Sequence, residues 1–300
     1  MEIEMSLKHT ILCMLGSLLV AGAVHAQETA PAPQLEEASS NEWRPSVSFS
    51  IDYSSRYWCR GKLFNPERVM YGDLSVSLKG FYAGIWTAFD LTEENGYRNE
   101  PEEWDFYVGY GYTFENIPVI NSLELDGSYT SYRYPHYGRT WGGHSPHEQC
   151  IALKATTGFA IGDFALNPGI DLRTDFCNDK WIKDAQWFFR VFASHDEDLK
   201  FISEKLSFGN TVSLWWGNNH YNGLYYDVVD DEEVYHQVGN GFSFLTWETG
   251  LTYAINDHVS FGPWGCIGWA MDHNVRKQQK QTKHLNSVNC AWGVKLAFSF

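Results

Sequence analysis

"KLAFSF" (Lys295–Phe300) closes the chain on a strict alternation. Val294, Leu296, Phe298 and Phe300 are apolar, while Gly293, Lys295, Ala297 and Ser299 are small or polar. A period of two marks a β-strand with one apolar face and one wet face. Chain ends are ordinarily frayed and polar, so a greasy terminal strand needs something greasy to face.

The alternation is not confined to the end. "VSFSIDY" puts Val47, Phe49, Ile51 and Tyr53 on one face, with Ser48, Ser50 and Asp52 on the other. "WDFYVGYGY" sets Trp104, Phe106, Val108, Tyr110 and Tyr112 against Asp105, Tyr107, Gly109 and Gly111. About twelve such segments follow one another, near 46–58, 68–79, 81–91, 103–114, 120–134, 148–158, 162–174, 185–195, 204–216, 241–255, 257–271 and 286–300. Connections after odd segments are long. Those after even segments are short, as in "KGF" (79–81) and "INDH" (255–258). Short turns at one end and long loops at the other is the pattern of an all-β, antiparallel, up-and-down transmembrane barrel with both termini on the short-turn side. A secreted β-sandwich or β-propeller is the competing class, but neither has reason to alternate its loop lengths. Two details strain the pattern. Pro168 and Pro263 fall inside segments, where a proline removes a ladder hydrogen bond, so bulges are expected there. Asn210 falls on the apolar parity of the ninth segment.

The start of the chain fits an exported barrel. Residues 1–26 carry Lys8, an apolar run of roughly fifteen residues and the small-residue site Val24-His25-Ala26, the layout of a cleaved secretory signal peptide. That run is shorter than the about twenty apolar residues a membrane-spanning helix needs. Residues 27–44 are rich in Pro, Ala and Glu without periodicity and read as a disordered periplasmic lead-in, which leaves 45–300 for the barrel. Net charge is −15, and the leader contributes −1 (Lys8 against Glu2 and Glu4), so the mature chain is −14 and repels phosphate; no nucleic-acid partner is expected. Aromatics make up 16%, as the interfacial girdles of a barrel require. Five cysteines outlast cleavage, an odd number that cannot pair completely. Parity sends Cys266 and Cys290 to opposite faces, so they are not expected to bond.

Two stretches resemble a known family. "DYSSRYWCRGKLF" supplies Ser55, Tyr57, Arg60 and Gly61, and "GFYAGIWTAFD" supplies Gly80, Phe81, Tyr82, Gly84 and Trp86. These resemble the TorF-type (Gcw_chp) family of bacterial outer-membrane proteins, classed as porins. The match covers the first third of the chain. It implies a bacterial outer-membrane location and a barrel fold. Phe300 likewise resembles the terminal aromatic residue by which outer-membrane barrels are recognised, which implies the barrel-assembly machinery as a partner.

If the apolar parity faces lipid, with lipopolysaccharide on its outer leaflet, the other parity faces the lumen. The expected pore-lining residues are Asp52, Arg56, Arg60, Asp73, Trp86, Asp90, Asp105, Glu124, Asp126, Lys154, Asp171, Arg173, Arg190, Glu248 and Lys295. Charges at this density cannot face hydrocarbon, where an Arg or Lys at mid-depth costs roughly 2–4 kcal/mol. Acids dominate the first five segments and bases the sixth to eighth and the twelfth. An acidic wall partly opposite a basic one, Lys295 included, would orient polar solutes and sort ions. The alternative is that these charges pair across a filled interior and leave function to the outer loops, as in a structural or adhesion barrel. "GGHSPHE" (142–148) offers His144, Ser145, His147 and Glu148 on a Gly/Pro loop, but adjacency of Ser and His is not a triad. No catalysis, cofactor or metal is expected, although the acidic run Asp227–Glu233 could attract divalent cations. The expectation is therefore a passive channel for small hydrophilic solutes or ions.

Overall fold

The structure is a computed structural model that describes residues 44–92, 100–117, 119–135, 147–161, 164–177, 185–229, 232–281 and 285–300. The signal peptide, nearly all of the lead-in, and His144 and Ser145 lie outside the described residues.

Twelve strands form one closed antiparallel barrel. In chain order they are β1 (Ser46–Ser54), β4 (Val69–Leu78), β5 (Phe81–Asp90), β6 (Pro101–Glu115), β7 (Ser122–Arg133), β8 (His147–Ile161), β9 (Phe164–Cys177), β10 (Gln186–Asp198), β11 (Leu206–Gly217), β14 (Gly241–Asn256), β15 (Val259–Ala270) and β16 (Val288–Ser299). Two small hairpins sit in the long connections: β2 (Tyr57–Cys59) with β3 (Lys62–Asn65), and β12 (Leu224–Val229) with β13 (Glu232–Gln237). Two helices among the described residues, α1 (Asn219–Asn222) and α2 (His273–Gln281), occupy the same end. The predicted alternation of connections holds throughout. One of the two-residue connections, Lys79-Gly80, has positive φ at both residues (52° and 85°), as a type I′ hairpin demands.

Parity also holds. Phe49, Ile51, Leu74, Val76, Phe106 and Val108 stand exposed on the outside, while Asp52, Asp73 and Asp105 are buried within. The described residues contain no helix long and apolar enough to cross a membrane. A closed barrel satisfies its backbone internally, and an apolar outer face then makes lipid its solvent. Cys266 is buried inside and Cys290 is exposed outside, and Cys59, Cys150, Cys266 and Cys290 carry thiols rather than disulfides.

Neither proline makes a bulge, which corrects the sequence expectation. The β8–β9 ladder passes from Thr156↔Gly169 to Phe159↔Leu166 without a register shift, skipping the two pairs around Pro168. The β14–β15 ladder likewise passes from Gly250↔Trp264 to Tyr253↔Phe261 across Pro263. An antiparallel residue directs its N–H and C=O to one neighbour only. Each proline therefore opens a gap on one side, while Ala193↔Pro168 and Pro263↔Val294 stay in register on the other. The Thr157 hydroxyl donates to the Pro168 carbonyl at 3.1 Å inside the first gap. Register shifts fall elsewhere, at Ala88/Phe89, Trp215/Trp216 and Ala254/Asn256. Asn210 keeps the outward parity, and its Nδ2 donates to the His195 carbonyl at 3.3 Å.

Closure joins β1 to β16 from Ser48↔Ser299 to Ser54↔Gly293. Beyond the last ladder pair, Val47 and Phe300 exchange both backbone hydrogen bonds at 2.9 Å, and the Phe300 ring stacks on His258 at 5.5 Å. Deleting Phe300 removes those two bonds, worth roughly 1 kcal/mol each, and the ring contact with them. The expected outcome is a clear fall in membrane-inserted, heat-modifiable protein, with Ser299→Ala near wild type. Equal insertion of the two variants would remove any special part for the terminal residue.

Candidate functional site: the lumen and its outer mouth

Inside the barrel, aromatic side chains lie along the wall by a repeated device. Tyr107 on β6 pairs with Gly84 on β5, and its ring passes over that glycine to donate to Asp73 on β4 at 2.9 Å. Tyr82 on β5 passes over Gly109 on β6 and donates to Asp126 on β7 at 2.9 and 3.0 Å. Trp264 on β15 passes over Gly293 on β16, and its Nε1 donates to Asp52 on β1 at 2.6 Å. Phe192 on β10 passes over Gly169 on β9 toward Lys154 on β8, whose Nζ lies 6.0 Å from the ring centroid. A Cβ on any of these four glycines would strike the overlying ring. Charged residues thus receive an aromatic partner two strands away, and the ring lies tangential to the wall.

The charges pair unevenly. Arg173 grips Asp171 through Nε (2.9 and 3.0 Å) and Nη2 (2.6 Å), and Arg190 Nη2 approaches the same carboxylate at 3.6 Å. Lys154 and Glu124 are 3.8 Å apart. Asp52, Asp73 and Asp126, in contrast, accept from neutral indole or phenol groups. Strand order puts β9 half-way round the ring from β1, and β10 half-way round from β4. The acids Asp52 and Asp73 therefore sit across from Arg173 and Arg190. Lys295 does not, which corrects the sequence expectation: it pairs with Asp52 directly across the β1–β16 seam. Toward the short-turn end many inward positions are small and polar, including Ser48, Ser75, Thr156, Thr211 and Ser260, with Glu124, Asp126, Asp196 and Lys295 among them.

The long-loop mouth is different. The first strand was expected to run to residue 58, with Arg56 and Arg60 on its wall; it ends at Ser54. Arg56 lies in the link that follows, where its carbonyl accepts from Ser54 Oγ at 2.6 Å and Tyr71 at 3.2 Å. The β2–β3 hairpin then folds into the barrel. Its turn, Arg60-Gly61, is again type I′ (φ 53° and 75°). Trp58, 2% exposed, covers Gly268 on β15; Gly61 packs on Trp215 and Phe244; Tyr57 donates to Glu103 on β6. Arg60 donates to Asp175 on β9 and to the Tyr132 hydroxyl on β7. Lys62 donates to the Tyr221 carbonyl on α1 and lies 3.6 Å from that ring, and the Tyr221 hydroxyl returns a 2.6 Å bond to the Arg60 carbonyl. These contacts reach six wall strands, all near their long-loop ends. Two apolar clusters complete the closure, one around Tyr57, Trp58, Tyr71, Trp86 and Trp264, the other around Phe188, Trp215, Tyr221, Phe244 and Val275.

Solved structures with similar architecture include an outer-membrane channel from Pseudomonas putida F1, 8% identical, with TM-score 0.49 over 91% of this chain and 100% of that one. The KdgM porin is 10% identical, with TM-score 0.42 over 85% and 99%. The NanC porin is 12% identical, with TM-score 0.42 over 84% and 98%. No family model matches the chain, and no curated protein is similar to it in sequence.

Of the residues expected to line a pore, Asp52, Asp73, Trp86, Asp90, Asp105, Asp171, Arg173, Arg190 and Glu248 are buried on inward positions. Glu124, Asp126, Lys154 and Lys295 are half-buried on the same parity. The sequence reading missed Glu103, Tyr132 and Asp175 and named Glu148 only beside the loop histidines; all four gather with Asp105 around Arg60 at the mouth. Their signal was available: Glu103 and Asp175 share parity with Asp105 and Asp171. In the long loops, Asp227 bonds to Lys277 on α2 and lies 3.5 Å from His236, and the Lys277 ammonium that bonds to it holds its carboxyl below the usual range. Glu233 accepts from Tyr235 at 2.5 Å. Among the described residues no group of three or more His, Cys, Asp or Glu is placed to hold a metal.

Proposed function

We infer that this chain is a bacterial outer-membrane channel for small hydrophilic solutes or ions, delivered through a cleaved signal peptide and the barrel-assembly machinery. Its outer loops meet the lipopolysaccharide leaflet. The observation that carries the reading is the division of the lumen. A polar wall of small residues with charges among them runs from the short-turn end to a charged middle, and one short hairpin closes the mouth. A purely structural barrel needs no polar bore beneath its cap. The expected pore-lining set is that of the sequence reading, with Arg60 moved to the cap and Arg56 to its base. On the inward positions of the wall the acids Asp52, Asp73, Asp90, Asp105, Glu124, Asp126, Asp171 and Glu248 outnumber the bases Lys154, Arg173, Arg190 and Lys295, so the wall field is net negative and should favour cations.

Reversal potential of refolded protein in a planar bilayer tests this. Asp52→Asn with Asp73→Asn removes two charges, keeps the volume and leaves an acceptor for Trp264 and Tyr107. The shift should be toward anions, and larger in dilute salt, where the screening length is about 30 Å at 0.01 M against about 10 Å at 0.1 M. Absence of any current, with and without the hairpin, would leave a filled barrel whose outer loops carry the function. Current whose selectivity ignores both substitutions would mean that these carboxylates do not line the conducting path.

A further inference from the structure

The hairpin tip ends in a group that its receptor recognises as a ligand would be recognised. The Arg60 guanidinium lies 5.0 Å from the ring centroids of both Tyr132 and Phe188 and against the Asp175 carboxylate. Asp175, Tyr132 and Phe188 are each 3% exposed. A carboxylate between two aromatic faces is the chemistry that selects guanidinium and alkylammonium groups. Further carboxylates, Glu103, Asp105 and Glu148, lie close enough to act on Arg60 or on one another electrostatically. Four acids thus face two cations from the hairpin, Arg60 and Lys62.

The tethered group does not satisfy this box. Asp175 Oδ1, Asp105 Oδ1 and Arg60 Nε are all buried without a hydrogen-bond partner among the described residues. A guanidinium free of its tether could turn to meet both Asp175 oxygens at once. Backbone conformation points the same way. Arg60 occupies the first left-handed position of a type I′ turn, which Asn, Asp or Gly fill at least cost, so its side chain is the reason for its presence.

We propose that Asp175, Tyr132 and Phe188 form a recognition site for solutes bearing a guanidinium or alkylammonium group, which Arg60 occupies as a tethered competitor. The proposal rests on the channel reading for its biological meaning, but binding at the site does not require conduction. The probe is agmatine, titrated calorimetrically into the full-length protein folded in detergent, with barrel folding checked by heat-modifiable mobility. Wild type should bind weakly. Arg60→Ala should bind agmatine at least about tenfold more tightly, and Arg60→Ala with Asp175→Asn should lose about that factor again. Glucose should bind to none of the three. In wild type, saturating agmatine should also displace the hairpin and speed alkylation of Cys59, read by peptide mass spectrometry. That measurement decides the matter should Arg60→Ala fail to fold. Failure of agmatine to bind Arg60→Ala, equal binding without the Asp175 charge, or a Cys59 rate indifferent to agmatine would each overturn the site. A barrel that binds agmatine yet carries no current would overturn the channel and leave the site standing.

Discussion

Replacing Tyr57–Asn65 by a two-glycine link should turn a barrel that resists ion flow into one with a steady open level in planar bilayers. The wall should tolerate the change, because Ser54 and Val69 already face each other across the β1–β4 ladder. What keeps the native hairpin inside is considerable. Tyr57, Trp58 and Leu63 are at most 6% exposed, and full burial of a large apolar side chain contributes about 1.5–3 kcal/mol. Polar contacts to Glu103, Asp175, Tyr132 and α1 add to that. Spontaneous opening is therefore rare, and low wild-type conductance follows. Gly61→Val offers a gentler version. Its Cβ would lie 3.0 Å from Trp215 and 3.2 Å from Phe244, at a φ of 75° that valine resists, so it should give intermittent openings. Identical single-channel records for wild type and the hairpin-less barrel would mean that the obstruction lies deeper in the bore.

The second large effect should come from Asp171→Asn. This carboxylate is 1% exposed and serves Arg173 and Arg190 together. Asparagine keeps the shape and removes the negative charge that the two guanidiniums share. Breaking a buried pair from one side typically costs about 3–5 kcal/mol, so the urea midpoint for unfolding from lipid vesicles should fall sharply. Asp171→Asn combined with Arg173→Gln should recover much of the loss. In any variant that conducts, reversal potential should move toward anions. A loss under about 1 kcal/mol would show that water screens this cluster as it screens surface pairs.

The wall was legible because lipid and lumen impose opposite demands on alternate residues, so parity survives even where aromatics occur on both faces. "VSFSIDY" gives the correct face for all seven of its residues. The prolines were misread because a bulge is only one way to lose a ladder bond; in a two-sided ladder a one-sided gap suffices. The hairpin was missed because "RYWCRGKLF" continues the greasy texture of β1, and alternation does not distinguish a strand against lipid from one packed on other side chains. Only Arg60-Gly61, a turn pair flanked by aromatics, marked the reversal. The carboxylates around Arg60 were undervalued for the same reason. They keep the inward parity at the strand ends but come together only once the hairpin has folded in.

The Trp264–Gly293–Asp52 contact has a consequence for assembly order. Asp52 is on the first barrel strand and Trp264 on the penultimate one, with the glycine of the last strand between them. The indole has no acceptor there until the two chain ends have zipped together, so the bond cannot guide closure and can only fasten it. An open sheet can lay the Trp264 ring over Gly293 within the β15–β16 hairpin but leaves its N–H without Asp52, and a sealed one supplies that acceptor. The tryptophan is thus a built-in reporter of the moment the cylinder shuts, and a reason that it does not reopen.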